Sequence, residues 1–202
     1  MKLYYTPGTC SLADHIVLEW IGKPYEAIAV GREERKSPSY LAINPAGAVP
    51  ALDDDGWVLT QNAAILHYLA ALNPEAGLLG DGSARGAAEV DRWLAFANAD
   101  VHPSFWPFFG GLGWVRDPAV AEQGKAAAAI KLRGLFERAD ARLLDRDWIA
   151  GSRSIADPYL YVVTRWAKAK QVDLTGLANI DRHFRQMQAD PAVQRVLEAE
   201  GL

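Results

Sequence analysis

Apolar positions change period along this chain, and the change divides it. Up to residue 77, short runs of strand length alternate with helical spacing. Leu3-Tyr4-Tyr5 is strand-like, and Ser11 to Gly22 reads as a helix that Gly22 ends at its C′ position. Tyr25 to Val30 is a second apolar run of strand length. Val49 to Leu52 and Trp57 to Leu59 flank Asp53-Asp54-Asp55-Gly56, whose Asp-Gly pair predicts a hairpin. Between Gln61 and Leu72, the positions Ala64, Ile65, Tyr68, Leu69 and Leu72 share one helix face. Strands joined by helices, then a hairpin and a closing helix, describe a small α/β layer.

From residue 83 the pattern is helical almost to the end. Val90, Trp93, Leu94 and Ala97 lie on one face. Asp117-Pro118 pairs an N-cap residue with proline at the first helical position, and the helix that follows carries Leu132, Leu135, Phe136, Ala139 and Leu143. Ser154-Ile155-Ala156-Asp157 fits a capping box, with Asp in place of the more usual Glu. Asn73 to Gly82, rich in Gly and Pro with Asn and Asp, is the natural linker. Two domains follow, residues 1–77 and 83–202.

Composition narrows the function without naming it. Half of the residues are apolar and 23% are charged, as in a well-cored globule. The net charge of −4 falls entirely on residues 1–77, with 5 Lys and Arg against 9 Asp and Glu; the remainder is balanced at 16 of each. Neither part offers the basic face that nucleic-acid binding needs. One cysteine cannot form an internal disulfide, and a free thiol suits a reducing compartment. No run approaches the ~18 apolar residues of a membrane span, and the N-terminus lacks a signal-peptide pattern, so the expectation is a cytosolic protein.

That cysteine, Cys10, stands where the first strand gives way to the first helix. A free cysteine is commonly a small buried hydrophobe. Pro7-Gly8 marks a turn, however, and places Cys10 beside the first helical turn, where unpaired N–H groups and the helix dipole favour a thiolate. Without a second cysteine, any disulfide must involve an external thiol. A second clue is Asn44-Pro45-Ala46-Gly47-Ala48-Val49-Pro50-Ala51-Leu52. Proline leading into an apolar strand is awkward, since it cannot donate to the ladder. A cis Val49–Pro50 bond would turn the Val49 backbone outward toward an extended peptide; an ordinary edge strand with trans proline is the commoner alternative.

Taken together, MKLYYTPGTCSLADHIVL, INPAGAVPAL, LTQNAAILHYLA, Asp100-Val101-His102 and SIADPYLYVVTRWA resemble the cytosolic glutathione transferases, most closely the bacterial beta class. The resemblance spans nearly the whole chain. It implies an α/β thioredoxin-like N-terminal domain and an all-α C-terminal domain with the active site between them, glutathione as co-substrate, no metal, and a homodimer. It implies that Cys10 can form a mixed disulfide with glutathione, that Val49 before the cis Pro50 bonds the cysteinyl backbone, and that Gln61 and Asn62 hold the γ-glutamyl end. Helix-start N–H groups and side-chain amides suit that carboxylate; simple N-capping by Asn62 is the alternative. His102 matches the histidine that reaches the glutathione sulfur. Pro103 discourages further helix and would leave His102 at a helix end, where the dipole favours imidazolium; a lone histidine is otherwise more often structural. Arg32 or Arg35, with Arg35 preferred, would face the glycyl carboxylate, and Asn98 and Asp100 complete the expected glutathione contacts. Among Phe105, Trp106, Phe108, Phe109, Trp114 and Trp166, the expected cleft residues are Phe105 and Trp166.

Departures qualify the match. Pro103 stands where many beta-class members have lysine, and Ala95 where asparagine is expected; Asn98, four residues before His102, is a candidate to compensate. Gln61-Asn62 replaces the usual Glu-Ser or Glu-Gly, and Arg153 the hydrophobic staple residue before the capping box. His15, His67 and His183 show no metal-ligand spacing, and there is no HExxH, Walker loop or GxGxxG. The function so implied is conjugation of glutathione to a small apolar electrophile, or thiol–disulfide and peroxide chemistry through Cys10. Rivals are a non-catalytic regulator on the same scaffold, like the stringent starvation proteins, and a glutathione-dependent dehalogenase or isomerase.

Overall fold

Leu3 and Tyr5 of strand β1 (Lys2–Tyr5) are buried while Lys2 is exposed, the alternation of a strand with one well-covered face. The computed structural model describes residues 1–202. Helix α1 (Ser11–Ile21) ends on Gly22 in the left-handed conformation, φ 72°, and returns the chain to β2 (Glu26–Ala29), parallel to β1. After α2 (Pro38–Ile43), strands β3 (Ala51–Asp54) and β4 (Trp57–Thr60) add an antiparallel hairpin, giving the order β2-β1-β3-β4. Asp54 pairs with Trp57, so Asp55 and Gly56 alone make the turn. Their φ values of 50° and 91° are those of the primed turn that Asp-Gly predicts. Helix α3 (Asn62–Leu72) packs against α1.

The second half is helical. Ser83 caps α4 (Ala84–Ala95) by accepting from the Gly86 N–H, and the helix runs on through a π-helical stretch, Phe96–Val101, into α5 (His102–Ser104). Asp117 caps α6 (Pro118–Arg142), with Pro118 at the first position as expected. Then come α7 (Ala156–Ala169), α8 (Ala178–Ala189) and α9 (Pro191–Glu200). No helix is long and apolar enough to cross a membrane.

Helix α7 organises this half. It is buried from Ala156 through Thr164 and packs on α1, α4 and α8. One continuous apolar cluster runs from Leu3 and Leu52 in the sheet through Leu12 and Ile16 of α1 to Tyr159 and Val163 of α7. At about 1.5–3 kcal/mol for each fully buried large apolar side chain, this shared core binds the two halves into one structure.

Candidate active site

Cys10 immediately precedes α1 with a helical backbone, φ −60° and ψ −25°. The loop before it is pinned from within and from the far end of the chain. Thr9 Oγ1 donates to the Thr6 carbonyl at 2.8 Å. Gly8, at φ 70°, donates its N–H to Glu200 Oε2 of α9 at 2.9 Å and accepts from Trp166 Nε1 of α7 at 2.8 Å. The Cys10 thiol is half-buried and donates to the Val49 carbonyl at 3.7 Å.

The expected neutral-pH thiolate is corrected here. Burial pushes the Cys10 thiol up to about 12, and the Asp14 carboxyl would oppose ionisation further once it is itself ionised; the Asn62 amide and the Cys10 and Ser11 N–H groups pull the other way. The helix-start donors are therefore present, but desolvation outweighs them.

Val49–Pro50 is cis. The preceding Ala48 carbonyl accepts from Tyr40 Oη at 2.6 Å and from Asn44 Nδ2 at 2.7 Å, while the Val49 N–H makes no hydrogen bond within the chain. Gln61 holds the N-cap position of α3 with φ 75° and an exposed side chain. Asn62, expected to offer its amide to a ligand or to cap α3, does neither. It is buried, with Nδ2 donating to the Cys10 carbonyl at 2.7 Å and to Asp14 Oδ2 at 3.0 Å.

His102 also departs from expectation in its charge. The backbone stays helical through Pro103 to Ser104, so His102 lies in the last turn near the helix end as expected, but burial lowers its pKa instead of favouring the imidazolium. The imidazole is held neutral. Tyr159 Oη donates to Asn98 Oδ1 at 2.9 Å and meets His102 Nδ1 at 2.8 Å. With the hydroxyl proton committed to Asn98, Nδ1 must be the donor, which leaves Nε2 as an acceptor. Trp166 packs edge-on against the ring, centroids 4.8 Å apart.

Cys10, Val49, Pro50, Gln61, Asn62, Asn98 and His102 border one cavity of about 390 Å³ between the two halves. Four expected residues do not. Phe105 has no exposed surface and Trp166 is buried with its indole N–H spent on Gly8; the cavity's aromatic wall is Trp106 and Phe109, because the π-helical stretch shifts the helical phase. Asp100 is exposed away from the cavity. Arg35 lies on a 3₁₀ turn, Glu34–Lys36, outside the cavity wall, with its Nε buried and unpaired. Sequence reasoning missed Tyr159, which the periodicity of α7 marks only as core. It also missed Asp14, whose one signal was a charge inside an otherwise apolar helix start.

The description "Glutathione S-transferase, N-terminal domain" belongs to the family model that matches residues 14–77. Glutathione S-transferase GST-4.5 of Xanthomonas campestris is 52% identical over 203 residues, covering 100% of both chains. The chain belongs to the glutathione S-transferase family. A solved glutathione S-transferase from Xylella fastidiosa superimposes with a TM-score of 0.97 at 51% identity, covering 100% of this chain and 98% of that one. A sphingomonad glutathione S-transferase complexed with glutathione gives 0.88 at 36% identity over the whole of both chains. The likeness to both structures spans the whole of this chain, including the helical half that completes the cavity.

Proposed function

We propose that this protein joins glutathione to apolar electrophiles in the cavity between its halves. Residues 1–77 supply the glutathione-binding side and residues 83–202 the electrophile side. The observation that carries the reading is the convergence of Cys10, Val49, Gln61 and His102 on one cavity that the apolar Pro103, Trp106 and Phe109 also line. Glutathione would lie along Val49-Pro50, pairing its cysteinyl backbone with the unpaired Val49 N–H and the Val49 carbonyl. Its γ-glutamyl end would meet Gln61 and the start of α3. The glutathione thiol gives its proton to His102 Nε2, and the sulfur then bonds to the electrophilic carbon as the leaving group departs with its electron pair.

Disulfide exchange and peroxide reduction through a Cys10–glutathione disulfide are secondary in this reading, since the resting Cys10 is a thiol and the thiolate is the attacking species. Removal of reactive apolar compounds by a homodimer is the physiological role we assign.

The purified protein is expected to be retained on glutathione resin and to conjugate a chlorodinitrobenzene. His102→Asn keeps a polar group toward Tyr159 but lacks Nε2, and should lose about 10²-fold in kcat/KM. Failure to bind the resin or to conjugate ends the reading in favour of a non-catalytic regulator.

A further inference from the structure

Directly beneath Cys10 lies a carboxyl without a cation. Asp14, in the first turns of α1, has no exposed surface. The ionisable groups that face it are Cys10 on its own helix, Glu200 from α9 and Tyr159 from α7, all of them anionic when ionised. His15, the nearest imidazole along the chain, is spent on Glu200 at 2.9 Å. From α3 the facing group is the neutral Asn62 amide, whose Nδ2 donates one hydrogen to Asp14 Oδ2 at 3.0 Å and one to the Cys10 carbonyl at 2.7 Å. The remaining oxygen of each group, Asp14 Oδ1 and Asn62 Oδ1, is buried without a donor. Two orphaned acceptors on partners already bonded to each other are an anomaly that one proton removes.

We propose that Asp14 and Asn62 form a closed acid–amide pair that positions Cys10: Asp14 Oδ1–H donates to Asn62 Oδ1 while Asn62 Nδ2–H donates to Asp14 Oδ2. Both groups are planar with two polar atoms on one edge, so a proton on Asp14 Oδ1 can close a ring through the bond already made. Every polar atom of the Asn62 amide is then used. Its free hydrogen has one direction left, toward the Cys10 carbonyl, which ties the first turn of α1 to the start of α3. Asp14 is thus a positioning residue, acting on Cys10 through Asn62. Burial raises the Asp14 carboxyl well above the ordinary aspartate range; its own backbone N–H pulls the other way, the charge of Glu200 adds to the rise, and the net direction accords with a retained proton.

The test reads the proton directly. In wild-type protein labelled with carbon-13 and assigned by triple-resonance NMR, the Asp14 carboxyl carbon is expected to keep the shift of a protonated acid at neutral pH. An ionised shift at neutral pH overturns the pair. The activity arm uses two variants. Asp14→Ala, which leaves Asn62 Oδ1 bare, should lower kcat/KM for conjugation by about tenfold, and Asp14→Asn, which closes the same ring without a titratable proton, should restore it. Equal losses in both variants overturn the pair, and no loss in either overturns the positioning role. This arm rests on the proposed transferase activity, whereas the NMR arm does not. A protonated Asp14 in an inactive wild-type protein would therefore count against the function and leave the pair standing.

Discussion

At Cys10, two opposing effects on one sulfur decide the chemistry. Donors at the start of α1 and the Asn62 amide favour the anion; burial disfavours it and wins. With the thiol pushed up to about 12, only about 10⁻⁵ of it is ionised at neutral pH. Iodoacetamide should therefore alkylate Cys10 far more slowly than it does free cysteine at neutral pH, with the rate still climbing in strong alkali. A rate that levels off near neutrality would mean that the sulfur is a resting thiolate after all. The sign for Asp14 is similar in form. Its folded pKa lies above the unfolded value of about 3.9, so the folded state binds more protons, and stability falls as pH rises from the ordinary aspartate range toward the raised value. The place of Cys10 at the strand–helix hinge was legible in Pro7-Gly8 and the apolar period after it. Its protonation state was not, because the largest effect is burial by elements that pack around Cys10, and the Asn62 amide arrives from a residue that no local pattern joins to residue 10.

Helix boundaries follow the same division. The Asp-Gly hairpin, the Gly22 stop, the Asp117-Pro118 start and the Ser154–Asp157 box were all legible, since each is a local backbone requirement met by a local residue. The π-helical stretch at Phe96–Val101 was not, and it moved the aromatic wall from Phe105 to Trp106 and Phe109. Arg153, out of place as an apolar staple, instead lays its guanidinium over Trp20 of α1 at 5.0 Å. Asp157 does more than cap α7. It accepts from the N–H groups of Ser154 and Ile149, both at 2.9 Å, and from Ser154 Oγ at 3.0 Å, and pairs with buried His183 at 3.1 Å. Ser154→Ala removes one cap and should cost about 1 kcal/mol. Asp157→Ala strands several buried donors and should cost about 3 kcal/mol or more. Denaturant midpoints compare the two, and equal losses would reduce Asp157 to an ordinary cap.

In the whole molecule, the distribution of apolar surface bears on assembly. Large apolar side chains are mostly inside, yet the hairpin and the outer face of α3 leave Trp57 52% and Leu72 47% exposed. Tyr68 fills the space between, its ring edge-on to Trp57 at 5.1 Å and its hydroxyl donating to Asp54, so the strip is rigid before anything covers it. A preformed apolar strip on one face is what a two-fold dimer buries, each copy offering the same patch to the other. The homodimer implied by the sequence resemblance should use it. Sedimentation is expected to give a dimer at micromolar concentration, and Leu72→Glu, which sets a charge on that strip, should shift the protein toward monomer. A wild-type monomer removes the homodimer, and an unaffected Leu72→Glu dimer removes this face from it. Because the groups proposed to hold glutathione, Val49, Gln61 and His102, meet in one cavity within one chain, the monomeric variant should still be held by glutathione resin. Dimerisation would then stabilise the transferase without completing its site, and loss of resin binding together with the dimer would show that the partner subunit is needed to hold glutathione.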